Sequence, residues 1–239
     1  MGSDLSQNKA ITTCFTRLAL AGRKLRRAIL RPIESSFKKK EELTQWLETH
    51  RSEIELGELI VLFQDECHLL WGDLCGYVWG KTNQRIEVPI VNERSKQTYY
   101  GVVNLATQHC FIQAYERGNS QNTIQFLDEL LQQYPQSRIA LLWDGASYHR
   151  SHELKAYLQS VNGELSPEQW RITCKRFAPN DPTQNPIEDI WLHGKRLIRE
   201  WYHLCHSFDD VKGFFQFATH DQFFHFPKLF EYGHFSLIT

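Results

Sequence analysis

Paired cysteines are absent from this 239-residue chain. Its six cysteines (14, 67, 75, 110, 174, 205) include no C-x-x-C pair, which argues against a zinc module and fits a reducing cytoplasm. His203, Cys205 and His206 lie close together, but nothing nearby completes a tetrahedral ligand set. No run of 18 or more apolar residues occurs, so no membrane-spanning helix is expected. The opening "MGSDLSQNKAITT" lacks the apolar stretch of a secretory signal. What is present, 41% hydrophobic and 13% aromatic residues, excludes chain-wide disorder and suits one large domain with an appendage.

Net charge is also nearly absent, at −1, but this hides an asymmetry. Residues 1–40 carry ten Lys/Arg, Arg23, Lys24, Arg26 and Arg27 among them, against Asp4 and Glu34, a balance of +8 that leaves −9 for the remainder. A basic arm on an acidic body points to nucleic acid, while a solvated helix face is the plainer alternative.

Helical spacing of Leu18, Ala21, Leu25, Ala28 and Ile29 predicts a helix over 17–33, stopped by Pro32. A second is expected over about 38–53. From residue 58, "ELIVLFQDE" is a continuous apolar run ending in acid, as in a strand buried on both faces. Short strands are expected in "GYVWG" and "QRIEVPIV", then a hairpin in "TYYGVVNLATQHCFIQAYE" that turns near Thr107 and Gln108. Helical periodicity covers 119–134. After it come a strand in "RIALLWD", a helix over 151–161, a strand in "RITCKRF" and, past the loop "APNDPTQNP", a long helix over 186–203. Early consecutive strands imply antiparallel pairing and the later helical crossovers imply parallel pairing, so the expected fold is an α/β mixed sheet flanked by helices.

Asp65 and Asp144 each follow an apolar strand. Parallel neighbouring strands would deliver both acids to one sheet edge, where open sheets place their sites. Adjacent carboxylates raise each other's pKa unless a cation lies between them, and Mg²⁺ takes such oxygen ligands. Glu66 and Asp73 compete with Asp65, because parity is silent in a continuous apolar run. Glu188 in "NPIEDIW" is the third candidate, with Asp189 competing and a capping box from Asn185 as the structural alternative. His149 is either a solvent-facing histidine at a helix start or, should the substrate be a phosphodiester, a group near its phosphate. Lys195, Arg196 and Arg199 are candidate DNA-backbone contacts. Trp71, Tyr77 and Trp79 suit base stacking or, more ordinarily, core packing.

"LFQDE", "LLWDGASYHRS" and "FAPNDPTQNPIEDIW", in this order, resemble the catalytic segments of bacterial insertion-sequence transposases of the mariner superfamily, DDE-type enzymes with a ribonuclease H-like core. The resemblance runs over about 58–203, and Gly145 stands where the family often has Asn. It implies a triad of Asp65, Asp144 and Glu188, at separations of 79 and 44 in residue number, holding two Mg²⁺ ions for which Mn²⁺ substitutes. It also implies double-stranded DNA, element ends and target, as substrate, a homodimer when active, and a nucleoid-associated place in a bacterial cytoplasm. The expected organisation is a basic helical lead-in at 1–56, the catalytic domain at 57–206 and an aromatic-rich extension at 207–239 that packs on the core or on a second subunit. The family's helix-turn-helix domains have no room in the lead-in, as in a truncated copy or the catalytic half of an element encoded in two reading frames. A structure-selective nuclease on the same fold and a non-catalytic DNA-binding remnant are the rival functions.

Overall fold

The computed structural model describes residues 33–75, 87, 94–179 and 181–238. Residues 17–32 of the first expected helix, with Arg23, Lys24, Arg26 and Arg27, lie outside them. So do Tyr77, Trp79 and, Glu87 apart, the strands expected in "GYVWG" and "QRIEVPIV".

Among the described residues the chain runs α1 (Ile33–Thr49), α2 (Arg51–Glu55), β1 (Leu59–Leu70), β2 (Lys96–Asn104), β3 (His109–Tyr115), α3 (Ser120–Gln133), β4 (Arg138–Trp143), α4 (His152–Asn162), β5 (Ile172–Arg176), α5 (Ile187–Glu200), α6 (Phe208–Thr219), β6 (Gln222–Phe223) and α7 (Pro227–Phe230). The sheet order is β5-β4-β1-β2-β3-β6. β1, β2 and β3 pair antiparallel, whereas β4 is parallel to both β1 and β5. This is the ribonuclease H-like mixed sheet that the sequence leads one to expect. No described helix is long and apolar enough to cross a membrane.

Local chemistry sets the boundaries. Asn119 caps α3 by accepting from the Asn122 amide at 2.8 Å, and Ser151 caps α4 through the Leu154 amide at 3.1 Å. Ser207 and Asp210 form a reciprocal capping box on α6. Two sequence expectations are corrected here. β1 does not end at Asp65 but continues to Leu70, because β2 pairs with it along that length after β4 has stopped. The sheet also gains β6, a two-residue strand with no sequence signal, laid antiparallel on β3.

Alternation along β1 divides the core in two. Leu59, Val61, Phe63, Cys67 and Leu69 face one layer with Leu43 and Leu47 of α1, Ile190 and Trp191 of α5 and Phe215 of α6. Ile60 and Leu62 face the other, against Phe126, Leu127 and Leu130 of α3 and Leu154 of α4. The phenylalanine-rich tail joins the first layer through Phe215, Phe224 and Phe235, with Leu229 and Tyr232. Trp71 is buried there too, 6.4 Å from the Phe208 ring, a packing position rather than a stacking platform.

Candidate active site

β1 and β4 pair in a constant register, from Leu59 opposite Arg138 to Phe63 opposite Leu142. Continued by two residues, that register sets Asp65 across from Asp144, just where the parallel ladder ends. Both acids keep the parity of Phe63 and Leu142, so they emerge on the layer that α1 and α5 cover. Glu188, in the first turn of α5, completes the group. Asp65, Asp144 and Glu188 line a single cleft of about 1160 Å³ between α1, the ends of β4 and β5, and the start of α5.

The capping box, the alternative role for Glu188, does not form. Asn185 instead donates its amide to the Gln64 carbonyl of β1 at 2.9 Å, and Pro186 occupies the cap position without a side-chain bond. This ties the start of α5 to the strand that carries Asp65. Gln184 extends the tie: its Nε2 donates to the Ser36 carbonyl at 2.9 Å, and its own carbonyl accepts from the buried Tyr232 hydroxyl at 2.7 Å. The signal for Asn185 and Gln184, polar residues in a Pro-rich loop, is too general to assign these roles from sequence.

The competing acids have other partners. Glu66 projects to the opposite layer, where it accepts from the Tyr148 hydroxyl at 2.6 Å and from Gln64 Nε2 at 2.9 Å. Asp73 accepts from the Leu70 amide at 2.8 Å and pairs with Lys195 at 3.2 Å. Asp189 pairs with Lys228 at 3.4 Å.

His149, counted from sequence with the DNA-facing candidates, sits instead beneath the site, its side chain 1% exposed. Its ring stacks on Trp143 at 4.1 Å, Nδ1 meets Asp144 Oδ1 at 3.2 Å, and Nε2 lies 3.4 Å from Glu66 Oε1 without hydrogen-bond geometry. On α5, Arg196 pairs with Glu200 at 2.7 Å and Arg199 donates to the Asp73 carbonyl at 3.0 Å. Together with Lys195, these cations are engaged within the protein and line no part of the cleft.

The carboxyls are tuned apart. The bond from His149, assisted by the Ala146 amide at 2.9 Å, holds Asp144 below its ordinary range and leaves Oδ2 without a partner among the described residues. Burial first, then the charges of Glu188 and Glu66, push Asp65 well above its ordinary range, opposed by a bond from Trp191 Nε1 at 3.1 Å. Burial also raises Glu188, against the pull of Lys228. A buried carboxylate crowded by another, in an all-oxygen donor set, fits a divalent cation of the Mg²⁺ or Mn²⁺ kind. Among the described residues no three His, Cys, Asp or Glu side chains stand close enough together to hold a metal ion between them. The three acids ring the cleft rather than meeting at a point.

Burial disfavours charge on His149, yet the bond to Asp144 and the neighbouring Glu66 carboxylate push it up from 6.5 to about 9. Its charge therefore adds stability that is complete below pH 6.5 and is lost as pH rises to about 9. Urea unfolding across that window should show wild-type stability falling, and His149→Gln should flatten the slope.

Residues 60–212 match the family described as DDE superfamily endonuclease. No curated protein matches the chain in sequence. Similar solved structures include a pre-cleavage Mos1 transpososome (14% identity, TM-score 0.49, covering 94% of this chain and 65% of that one). A Mos1 transposase paired-end complex with the left transposon end follows (13% identity, TM-score 0.47, 88% and 66%). The catalytic core domain of HTLV-2 integrase with magnesium is a third (13% identity, TM-score 0.40, 67% and 87%). The chain thus spans 66% and 65% of the length of the two Mos1 chains, just under two thirds.

Proposed function

Because the chain belongs to the DDE superfamily endonucleases, we propose that it is the catalytic core of an insertion-sequence transposase of the bacterial branch, cutting DNA strands and joining them to a target. The observation that carries this reading is the convergence of Asp65, Asp144 and Glu188 on one cleft from a strand middle, a strand end and a helix start.

Asp65 and Asp144 would hold one Mg²⁺ between them, with Glu188 serving a second. Such ions, when bound, supply activation of water and neutralisation of charge on the phosphate. The chain's own part is positional. Trp191 fixes one oxygen of Asp65, and His149 fixes one oxygen of Asp144 while keeping that carboxyl ionised. The Asn185 bond to Gln64 ties the start of the helix that carries Glu188 to the strand that carries Asp65. Phe177 and Ile187 are buried in the apolar layer on this side of the sheet. The active species is taken as a homodimer on double-stranded DNA.

The test is to incubate the purified chain with a duplex ending in a free 3′-hydroxyl and a supercoiled plasmid, in Mg²⁺ or Mn²⁺, beside Asp144→Asn. Joined product from the wild type and none from the variant is the expected result. Nicking without joining would make the protein a structure-selective nuclease. Salt-sensitive retention of DNA with neither reaction would make it a binding remnant.

A further inference from the structure

The cleft has walls of opposite charge. One carries the three carboxylates. The other, built from α1 and the carboxyl end of β5, carries Lys175 and the Lys39–Glu42 pair (3.1 Å), with Arg150 on the turn after β4; Arg176 pairs in register with Trp143 and so projects from the opposite layer. Lys175 pairs in register with Leu142, whose side chain faces the layer of Asp65 and Asp144, so the ammonium emerges on the acids' side of the sheet. Arg176 and Arg150 are exposed. Among the described residues Lys175, Arg176 and Arg150 have no carboxylate at ion-pair distance, in contrast to the cations of α5.

Lys175 is held, but not neutralised. Its Nζ stands 4.2 Å from the centroid of the Trp46 ring on α1, and that indole is 4.3 Å from the His50 ring. An aromatic face steadies an ammonium and leaves its charge available to an anion. Lys39, one of the α1 residues lining the cleft, faces the same space. Burial and the Lys39 charge both hold the Lys175 pKa below its ordinary value. Lys39 is paired with Glu42 at 3.1 Å, so Lys175 is a cation of this wall whose charge no carboxylate meets among the described residues, and an entering anion would supply the missing partner.

Resting on the nuclease reading above, we infer that this wall is the track for the backbone of the DNA strand being cut, with Lys175 on one phosphate next to the scissile one and Arg150 on the following one. The ligand class is a phosphodiester chain, met through charge and therefore without regard to sequence. The long helix α5 contributes Glu188 to the cleft, and its Arg196 pairs with Glu200 on the exposed surface.

The experiment is fluorescence anisotropy of the full chain on a labelled duplex of arbitrary sequence, over a series of KCl concentrations. Ca²⁺, an oxygen-seeking ion, would be present to neutralise the carboxylates. Lys175→Ala and Arg150→Ala should each bind several-fold more weakly at low salt and reduce the salt slope by about 1, the value of one phosphate contact. Lys175→Arg should keep the wild-type slope, as should Arg196→Ala on α5. Arg150 is exposed, so its replacement tests the wall without disturbing the core. Wild-type binding with unchanged slopes in both alanine variants would overturn the wall as the track and leave the nuclease reading intact. Absence of wild-type binding would overturn both.

Discussion

Asp65→Asn is expected to lose more than about 100-fold in strand cleavage, since even partners one step removed from a metal ligand are worth roughly 10–100-fold. The same variant should melt no lower than wild type in metal-free buffer, and higher once the pH exceeds the ordinary carboxylate value. The reason is the sign of the shift. Asp65 in the folded chain holds its proton well above 3.8, because burial and the Glu188 and Glu66 charges disfavour the anion. Its contribution to stability is therefore complete below pH 3.8 and is lost as pH rises through the raised value. Asparagine cannot ionise and keeps a carbonyl for Trp191 Nε1, so the loss disappears. Each kcal/mol recovered is worth about 2–4 °C in a domain of this size. Thermal scans at several pH values check this. A variant that melts several degrees lower at neutral pH would make Asp65 a structural acceptor instead of a charge awaiting a cation.

Gly101→Ala should damage stability and activity together. Gly101 stands directly opposite Asp65 in the β1–β2 ladder, and the Trp191 indole lies over it. A Cβ there would come within 2.3 Å of Trp191 Cη2 and 2.8 Å of Cζ2, with Ile112 Cγ2 at 3.1 Å on the other side. The indole is 4% exposed and stacks on Phe215 at 6.0 Å, so it has little room to retreat. Overpacking of this kind costs about 1–3 kcal/mol, which is several degrees of melting temperature. Any retreat also takes Nε1 away from Asp65. Adding Trp191→Phe separates the two effects. The smaller ring should restore much of the stability lost in Gly101→Ala while activity stays low, since no donor then reaches Asp65. Recovery of activity in the double variant would show that the indole only packs.

Much of this organisation is legible in the chain itself. The apolar runs before Asp65 and Asp144, the periodicity of α3, the caps of α3 and α4 and the order of strands and helices are local signals, and local backbone chemistry honours them. The separation of 79 between the two aspartates equals the β1–β4 register offset, so the strand pairing brings together two acids that the sequence could only nominate. Tertiary structure decided the rest. A strand buried on both faces has no polar side to orient it, so Asp65 and Glu66 are equivalent until β2, β4 and α5 give the sheet its two layers. Only then does Asp65 meet Trp191 while Glu66 meets Tyr148. Asn185 and His149 likewise acquire their roles from partners distant in the chain or on the far side of a turn. Periodicity and capping are properties of neighbours along the chain. Which carboxyl faces a cleft, and which lysine meets an indole instead of a carboxylate, depends on contacts between segments that pair only once the sheet has formed.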